Sequence, residues 1–148
     1  MDSHSTRCAA LMSIHPEFAN RIIGGQKLVE FRRRAASRPV THILIYATSP
    51  VSAVIGVAQV ERLERASPRA LWDIFGAVGG IGRGDFFRYF SGVEEGFAYV
   101  LEKTWSCAVP VPLGRQGLPR SAPQAFQYVH SRTLAAVLDG AEIVAGAA

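Results

Sequence analysis

Two cysteines, Cys8 and Cys107, are all the thiol this chain offers. Two are too few for a disulfide framework, and both read as free buried thiols. Histidine is scarce as well: His4, His15, His42 and His130 are scattered with no metal-ligand spacing. There is no Cys pair, no His-Glu-x-x-His and no carboxylate cluster, so neither a metal nor another cofactor is expected. Nothing sets a histidine beside a nucleophile, so no Ser-His-Asp or Cys-His arrangement can be read. No apolar run approaches the roughly 20 residues that span a bilayer. The first seven residues are polar and lack the apolar core of a secretory signal. The expected location is therefore the cytoplasm, with no membrane partner.

Acid is scarcest where base is densest. Residues 21–38 hold six cations (Arg21, Lys27, Arg32, Arg33, Arg34, Arg38) and one anion, Glu30. The whole chain carries +4, so this run, at +5, leaves the remainder at −1. Charge that is local describes a site better than it describes a fold. The two readings of the run are a solvated strand face with an ordinary ion pair, worth roughly 0 to 1 kcal/mol, and a site for an anionic partner. Six cations around one acid exceed what a single pair requires.

At 49% hydrophobic and 19% charged, the composition is that of a folded protein. With 148 residues and no repeat or linker, 1–148 reads as one domain, its core over about 8–130 and a C-terminal helix over about 131–139. Residues 8–14 suit a buried strand. Pro16 opens a helix over about 16–24, with Phe18, Ala19, Ile22 and Ile23 at helical spacing. Gly24 and Gly25 end it, and an extended segment follows over 28–34. There Val29 and Phe31 share the inward face, Glu30 and Arg32 share the other, and Lys27 lies in the turn at the strand's mouth. Residues 41–48 and 52–64 read as strands, Gly56 marking a bulge or bend. Ser67-Pro68 begins a helix with Leu71, Ile74, Phe75 and Val78 on one face.

The glycine-rich stretch 79–84 lacks the Lys-Ser/Thr ending of a phosphate loop and reads as a hinge, although its amides could still reach a ligand. Asp85 is expected to cap a short helix over 86–89. Residues 95–111 are extended, with Pro110 and Pro112 expected to end ladder pairing. Residues 113–123 form a surface loop carrying Arg115 and Arg120. Residues 124–129 are extended, 131–138 helical, and 145–148 are expected to fray. Trp72 and Trp105 read as core. The sum is an α+β fold, a small mixed barrel of five or six strands with surrounding helices.

Several ordered pieces resemble the ASCH domain family of the PUA-like β-barrel superfamily. They are Leu11-Met12-Ser13-Ile14 running into His15-Pro16-Glu17-Phe18-Ala19, then Gly25-x-Lys27-x-x-Glu30-x-Arg32. Tyr46-Ala47-Thr48-Ser49-Pro50 follows with Val54-Ile55-Gly56, and Pro123-Gln124-x-Phe126-x-Tyr128 closes the set. The resemblance implies a barrel with a cleft where the Lys27–Arg32 strand, the end of the first helix and the helical insertion meet. It implies RNA or nucleotide ligands and roles in RNA metabolism or in regulating translation or transcription. It also implies two enzymatic branches, an amidohydrolase of acetylcytidine and a ribonuclease. For the amidohydrolase, Lys27 matches the family's lysine, but Glu30 stands where a threonine would be, and 77–84 holds no acid ahead of Asp85.

The candidate site is Lys27, Glu30 and Arg32, with Arg33 and Arg34 as a basic rim. Lys27 and Arg32 would meet phosphate or a base carbonyl, a guanidinium binding phosphate through two parallel hydrogen bonds. Glu30 would accept from a base's exocyclic amine or merely orient Arg32. Tyr46, Thr48 and Ser49 end a strand and could face a barrel mouth, with Tyr46 stacking on a base; core packing with a capped turn is the other reading. Gln124, Phe126 and Tyr128 carry the same two readings. The functions in view are RNA or nucleotide binding, hydrolysis of RNA or a modified nucleoside by Lys27 and Glu30, and protein binding.

Overall fold

The computed structural model describes residues 7–144; the polar start and the expected fraying at 145–148 lie outside the described residues. The described residues form seven strands and four helices. They are β1 (Ala9–Ile14), α1 (Pro16–Ile23), β2 (Val29–Arg32), β3 (His42–Ala47), β4 (Ala53–Ala66) and α2 (Pro68–Phe75). The second half holds α3 (Arg83–Tyr89), β5 (Gly96–Pro112), β6 (Phe126–Val129), α4 (Ser131–Asp139) and β7 (Ala141–Ile143). No described helix is long and apolar enough to cross a membrane.

All seven strands belong to one sheet, in the order β2-β5-β4-β3-β1-β6. The 17-residue β5 organises it, pairing with β4 along one edge and with β2 and then β7 on the other. β1 and β3 run parallel, so the chain between them must cross over, and α1 with β2 makes that crossing. The expected five or six strands are seven because Ala141–Ile143 adds a short one. The ladder itself does not close, since β2 and β6 are not paired with each other.

The two edges are nevertheless tied by side chains. Arg32 at the end of β2 donates to the carbonyls of Ser13 (3.4 Å) in β1 and Ala125 (2.9 Å) just ahead of β6. Beyond β2, the amide of Arg38 donates to the Tyr128 hydroxyl on β6 at 2.9 Å. The barrel is completed by a seam of side chains in place of the missing rungs.

β1 and β3 are buried on both faces, which is why they read as unbroken apolar runs. Leu11, Leu44 and Tyr46 point to one face and pack with Leu134 and Val137 of α4. Met12, Ile14, Ile43 and Ile45 point to the other and pack with Ala19 and Ile22 of α1. A third cluster gathers Phe31 with Leu71, Phe75, Phe86 and Phe90 from α2 and α3. Its rings meet edge to face, Phe31 and Phe86 at 4.9 Å between centroids. Trp72 and Trp105 are half-buried partners of this cluster and of the α4 cluster respectively.

Several local expectations change. Gly56 does mark a bulge, where the β4 register shifts; a methyl there would collide with Ile23 and with the Trp105 carbonyl. Pro110 falls in that same shift, but the ladder resumes beyond it, with Val111 opposite Val54 and Pro112 opposite Ala53. Proline costs only a donor, and a position whose N–H faces away from the partner does not need one. α3 starts at Arg83 with Gly82 as its N-cap; Asp85 lies in the first turn and pairs with Arg88. Cys107 is buried and Cys8 half-buried, both free thiols.

Candidate functional site

α1 stops at Gly24, and the turn that follows delivers Lys27 inward rather than to the surface. Lys27 is only 4% exposed. Its Nζ lies 5.3 Å from the centre of the Phe18 ring and 5.1 Å from that of Phe31, and donates to the Gly79 carbonyl at 2.6 Å. Aromatic faces and one carbonyl replace part of the water an ammonium loses. Burial pulls the Lys27 pKa below its ordinary value; Glu30 opposes that shift and Arg21 adds to it.

Glu30, three residues on, is 6% exposed. Its Oε2 accepts from Arg32 Nη1 at 3.1 Å, the pairing that strand alternation foretells for two residues on one face. Among the described residues Oε1 has no hydrogen-bond partner, and Lys27 has only the Gly79 carbonyl. A buried donor and a buried acceptor are therefore both left with capacity to spare, which is costly unless something fills it.

Both groups line a hollow of about 150 Å³ between the α1 and phenylalanine clusters. Ser13, His15, Phe18, Ile81 and Tyr89 form most of the rest of its wall. The Tyr89 hydroxyl donates to the Phe31 carbonyl (3.3 Å) and accepts from the Arg33 amide (3.2 Å). Its pKa is pushed up, first by burial and against the pull of Arg32. Ser13, Arg32 and Tyr89 also border a wider, shallower hollow of about 560 Å³, which continues to Arg33, Arg34 and Gln124. The site is thus a small chamber, open on one side, that shares Ser13, Arg32 and Tyr89 with a neighbouring basic groove.

The arginines divide by role. Arg32 spends Nη1 and Nη2 on Glu30, Ser13 and Ala125, so it holds the wall and aims the carboxylate. Arg33 Nη1 donates to the carbonyls of Tyr89 and Ser91, each at 2.8 Å, fixing α3 to β2. Arg34 makes no hydrogen bond or ion pair to any described residue and faces the groove.

The structure brings together Lys27, Glu30, Arg32, Arg33, Arg34 and Gln124. It sets Tyr46, Thr48 and Ser49 apart from both hollows. Tyr46 packs in the α4 cluster because its place in β3 alternates with Ile45, which faces α1. The Thr48 carbonyl accepts from Val51 and Ser52, closing the β3–β4 turn in which Ser49 precedes a cis proline. Sequence reasoning did not single out Ser13, His15, Phe18, Ile81 or Tyr89 as wall residues. His15 and Phe18 had a signal, since a strand-to-helix turn ends beside the next strand's mouth; Tyr89, 59 positions beyond Glu30, had none.

The glycine-rich stretch faces the site with the opposite polarity to a phosphate loop. It presents carbonyls, Gly79 to Lys27 and Gly80 to Arg21 (2.7 Å). Gly80 has φ +65°, and a Cβ there would lie 2.6 Å from Lys27 Cβ, so only glycine lets the stretch fold over the lysine. Asp85 stays on the outer face of α3 and does not line the chamber.

No family model matches the chain. Over 96 residues, 64% of its length, the chain is 38% identical to an ASCH domain-containing ribonuclease of Zymomonas mobilis. The aligned part spans 65% of that protein, a little under two thirds. The crystal structure of the ASCH protein from Zymomonas mobilis superposes with a TM-score of 0.78 at 29% identity, covering 90% of this chain and 96% of that one. A point mutant of it gives 0.79 at 30% identity, covering 92% and 98%. At 30% identity over nearly the whole of that protein, the chain belongs to the ASCH family, with its PUA-like barrel architecture.

Proposed function

We propose that this ASCH protein binds RNA, or a single nucleotide, with one base in the chamber and the backbone along the basic groove. One observation carries the reading: Lys27 and Glu30 are buried, oppositely charged, incompletely partnered, and face the same aromatic-walled space. An ammonium donor beside a carboxylate acceptor complements a base edge that carries a carbonyl oxygen next to an N–H. Phe18, Phe31 and Tyr89 supply flat apolar surface for a ring, the usual means of holding an unstacked base. The groove supplies charge without a carboxylate among its lining residues.

Hydrolysis of RNA is the second reading, favoured by the ribonuclease name of the 38% identical relative and by the Glu30 carboxylate, a proton acceptor, in the same chamber. Glu30 would take the proton of a 2′-hydroxyl, whose oxygen attacks phosphorus as the bond to the 5′-oxygen breaks. His15 or the Lys27 ammonium would protonate that leaving oxygen, giving a 2′,3′-cyclic phosphate and a 5′-hydroxyl. Arg32 is engaged elsewhere and acts here by orienting Glu30.

Wild type and Glu30→Gln, incubated with single-stranded RNA, separate the readings. Cyclic-phosphate ends from wild type that vanish in the variant assign cleavage to the chamber. Binding without cleavage, weakened in the variant, assigns binding alone. No binding of RNA or nucleotide by wild type overturns the proposal.

A further inference from the structure

A second hollow, of about 610 Å³, lies at the other end of β6 from the groove. Arg7, Arg38, Thr41, Tyr128 and His130 are among its lining residues, and no carboxylate is. The two hollows follow one another along β6: Phe126 lines the groove and Tyr128, on the same face two residues on, lines the second hollow. Those rings touch edge to face at 5.4 Å, and the Arg38 guanidinium lies 3.9 Å over Tyr128. The Tyr128 hydroxyl is tied to the Arg38 amide and, at 3.3 Å, to Ser37. The ring is thus fixed on the wall, and the exposed Arg38 guanidinium stacks on it.

We infer that the chamber, the groove and this second hollow form one continuous track for a single strand of RNA that runs along β6 past Phe126, Tyr128 and Arg38. Arginines at 33, 34, 38 and 7 mark its course, and aromatic faces at Phe126 and Tyr128 interrupt the charge. That alternation of cation and ring is what a single strand requires, since phosphates need charge and unstacked bases need flat apolar surface. A duplex would expose neither its base faces nor a narrow enough profile to drop one base into a chamber of about 150 Å³. Four residues of β6 span roughly 13 Å, so the track is longer than one nucleotide and its far end is reached only by an oligonucleotide. The inference rests on the proposed function and names its substrate: a single-stranded oligonucleotide several residues long.

The test is a length series of single-stranded RNA, from a mononucleotide to an octamer, titrated against wild type, Arg38→Ala and the double variant Arg7→Ala/Arg38→Ala. Affinity should rise with length and then level off, and mononucleotide affinity should be the same in all three proteins. For the octamer the double variant should lose about tenfold or more. Three phosphate contacts at Arg34, Arg38 and Arg7 give a salt slope near −2.1, and removing two of them brings it to about −0.7. Mononucleotide binding with no gain on lengthening overturns the track while leaving the chamber intact. Absence of mononucleotide and oligonucleotide binding alike overturns the function beneath it. Displacement of the octamer by polyglutamate as readily as by unlabelled RNA would also overturn it, marking a basic patch for acidic protein.

Discussion

Replacing Arg32 with alanine should cost far more than an ordinary surface arginine. The side chain is 13% exposed and its partner Glu30 is 8% exposed, so solvent screening takes little from their attraction. Truncation removes the Glu30 pair and two carbonyl contacts, those to Ser13 and Ala125. It leaves a buried carboxylate near Lys27 with no guanidinium. Breaking a buried pair from one side costs about 3 to 5 kcal/mol, most of it from the stranded charge. With a urea slope of about 2 kcal/mol per molar, the unfolding midpoint should fall by roughly 1.5 to 2.5 M. Adding Glu30→Gln to Arg32→Ala neutralises the stranded group and should restore about 1 to 3 kcal/mol. Arg32→Lys should recover only part of the loss, because one ammonium cannot reach three acceptors set around a planar fork. Equilibrium unfolding followed by circular dichroism measures all three. A loss below about 1 kcal/mol for Arg32→Ala, or no recovery in the double variant, would refute the view that Arg32 clamps the seam and holds Glu30.

Gly80→Ala forces a Cβ against Lys27 at a positive φ, and should destabilise by about 1 to 3 kcal/mol and weaken RNA binding, both read by titration and thermal melting. Lys27 makes a pH prediction whose sign is fixed by its lowered pKa. Between that lowered value and 10.5 the unfolded chain holds more protons than the folded one, so folding stability gains from this group as pH rises through the window. Unfolding of wild type and Lys27→Met in parallel isolates the effect: the difference should move in favour of wild type as pH approaches 10.5, and a difference that stays flat would contradict it. Tyr89→Phe removes a hydroxyl that both donates to Phe31 and accepts from Arg33, and should cost about 0.5 to 1.5 kcal/mol in stability.

How far the sequence could be read depends on how local each feature is. β2 with Val29 and Phe31 on one face and Glu30 and Arg32 on the other follows from alternation alone, and so does the 3.1 Å pair. The clamp does not, because the carbonyls Arg32 reaches lie 19 and 93 residues away in the chain. Its charge made it look like a phosphate ligand; only the fold shows that backbone acceptors already occupy it. Tyr46, left open between stacking on a base and packing in the core, is the reverse case. Its strand was evident, but β3 is buried on both faces, so an aromatic there carries no mark of which cluster it joins. The glycine-rich stretch was legible as flexible chain, whereas its use of carbonyls to grip Lys27 and Arg21 depends on a partner 52 residues away. β7 escaped notice because three residues give no periodicity, and their strand character comes from pairing with β5.

A base held in the chamber over Lys27 and Glu30 would lie against its aromatic walls. Photo-cross-linking with an RNA oligonucleotide bearing 4-thiouridine, followed by peptide mapping, tests it most directly. Adducts should fall on chamber walls such as Phe18, Phe31 or Tyr89, and should be competed away by unlabelled RNA. Adducts confined to β5 around Trp105 or Val109 would place the RNA elsewhere and rule out a base in the chamber.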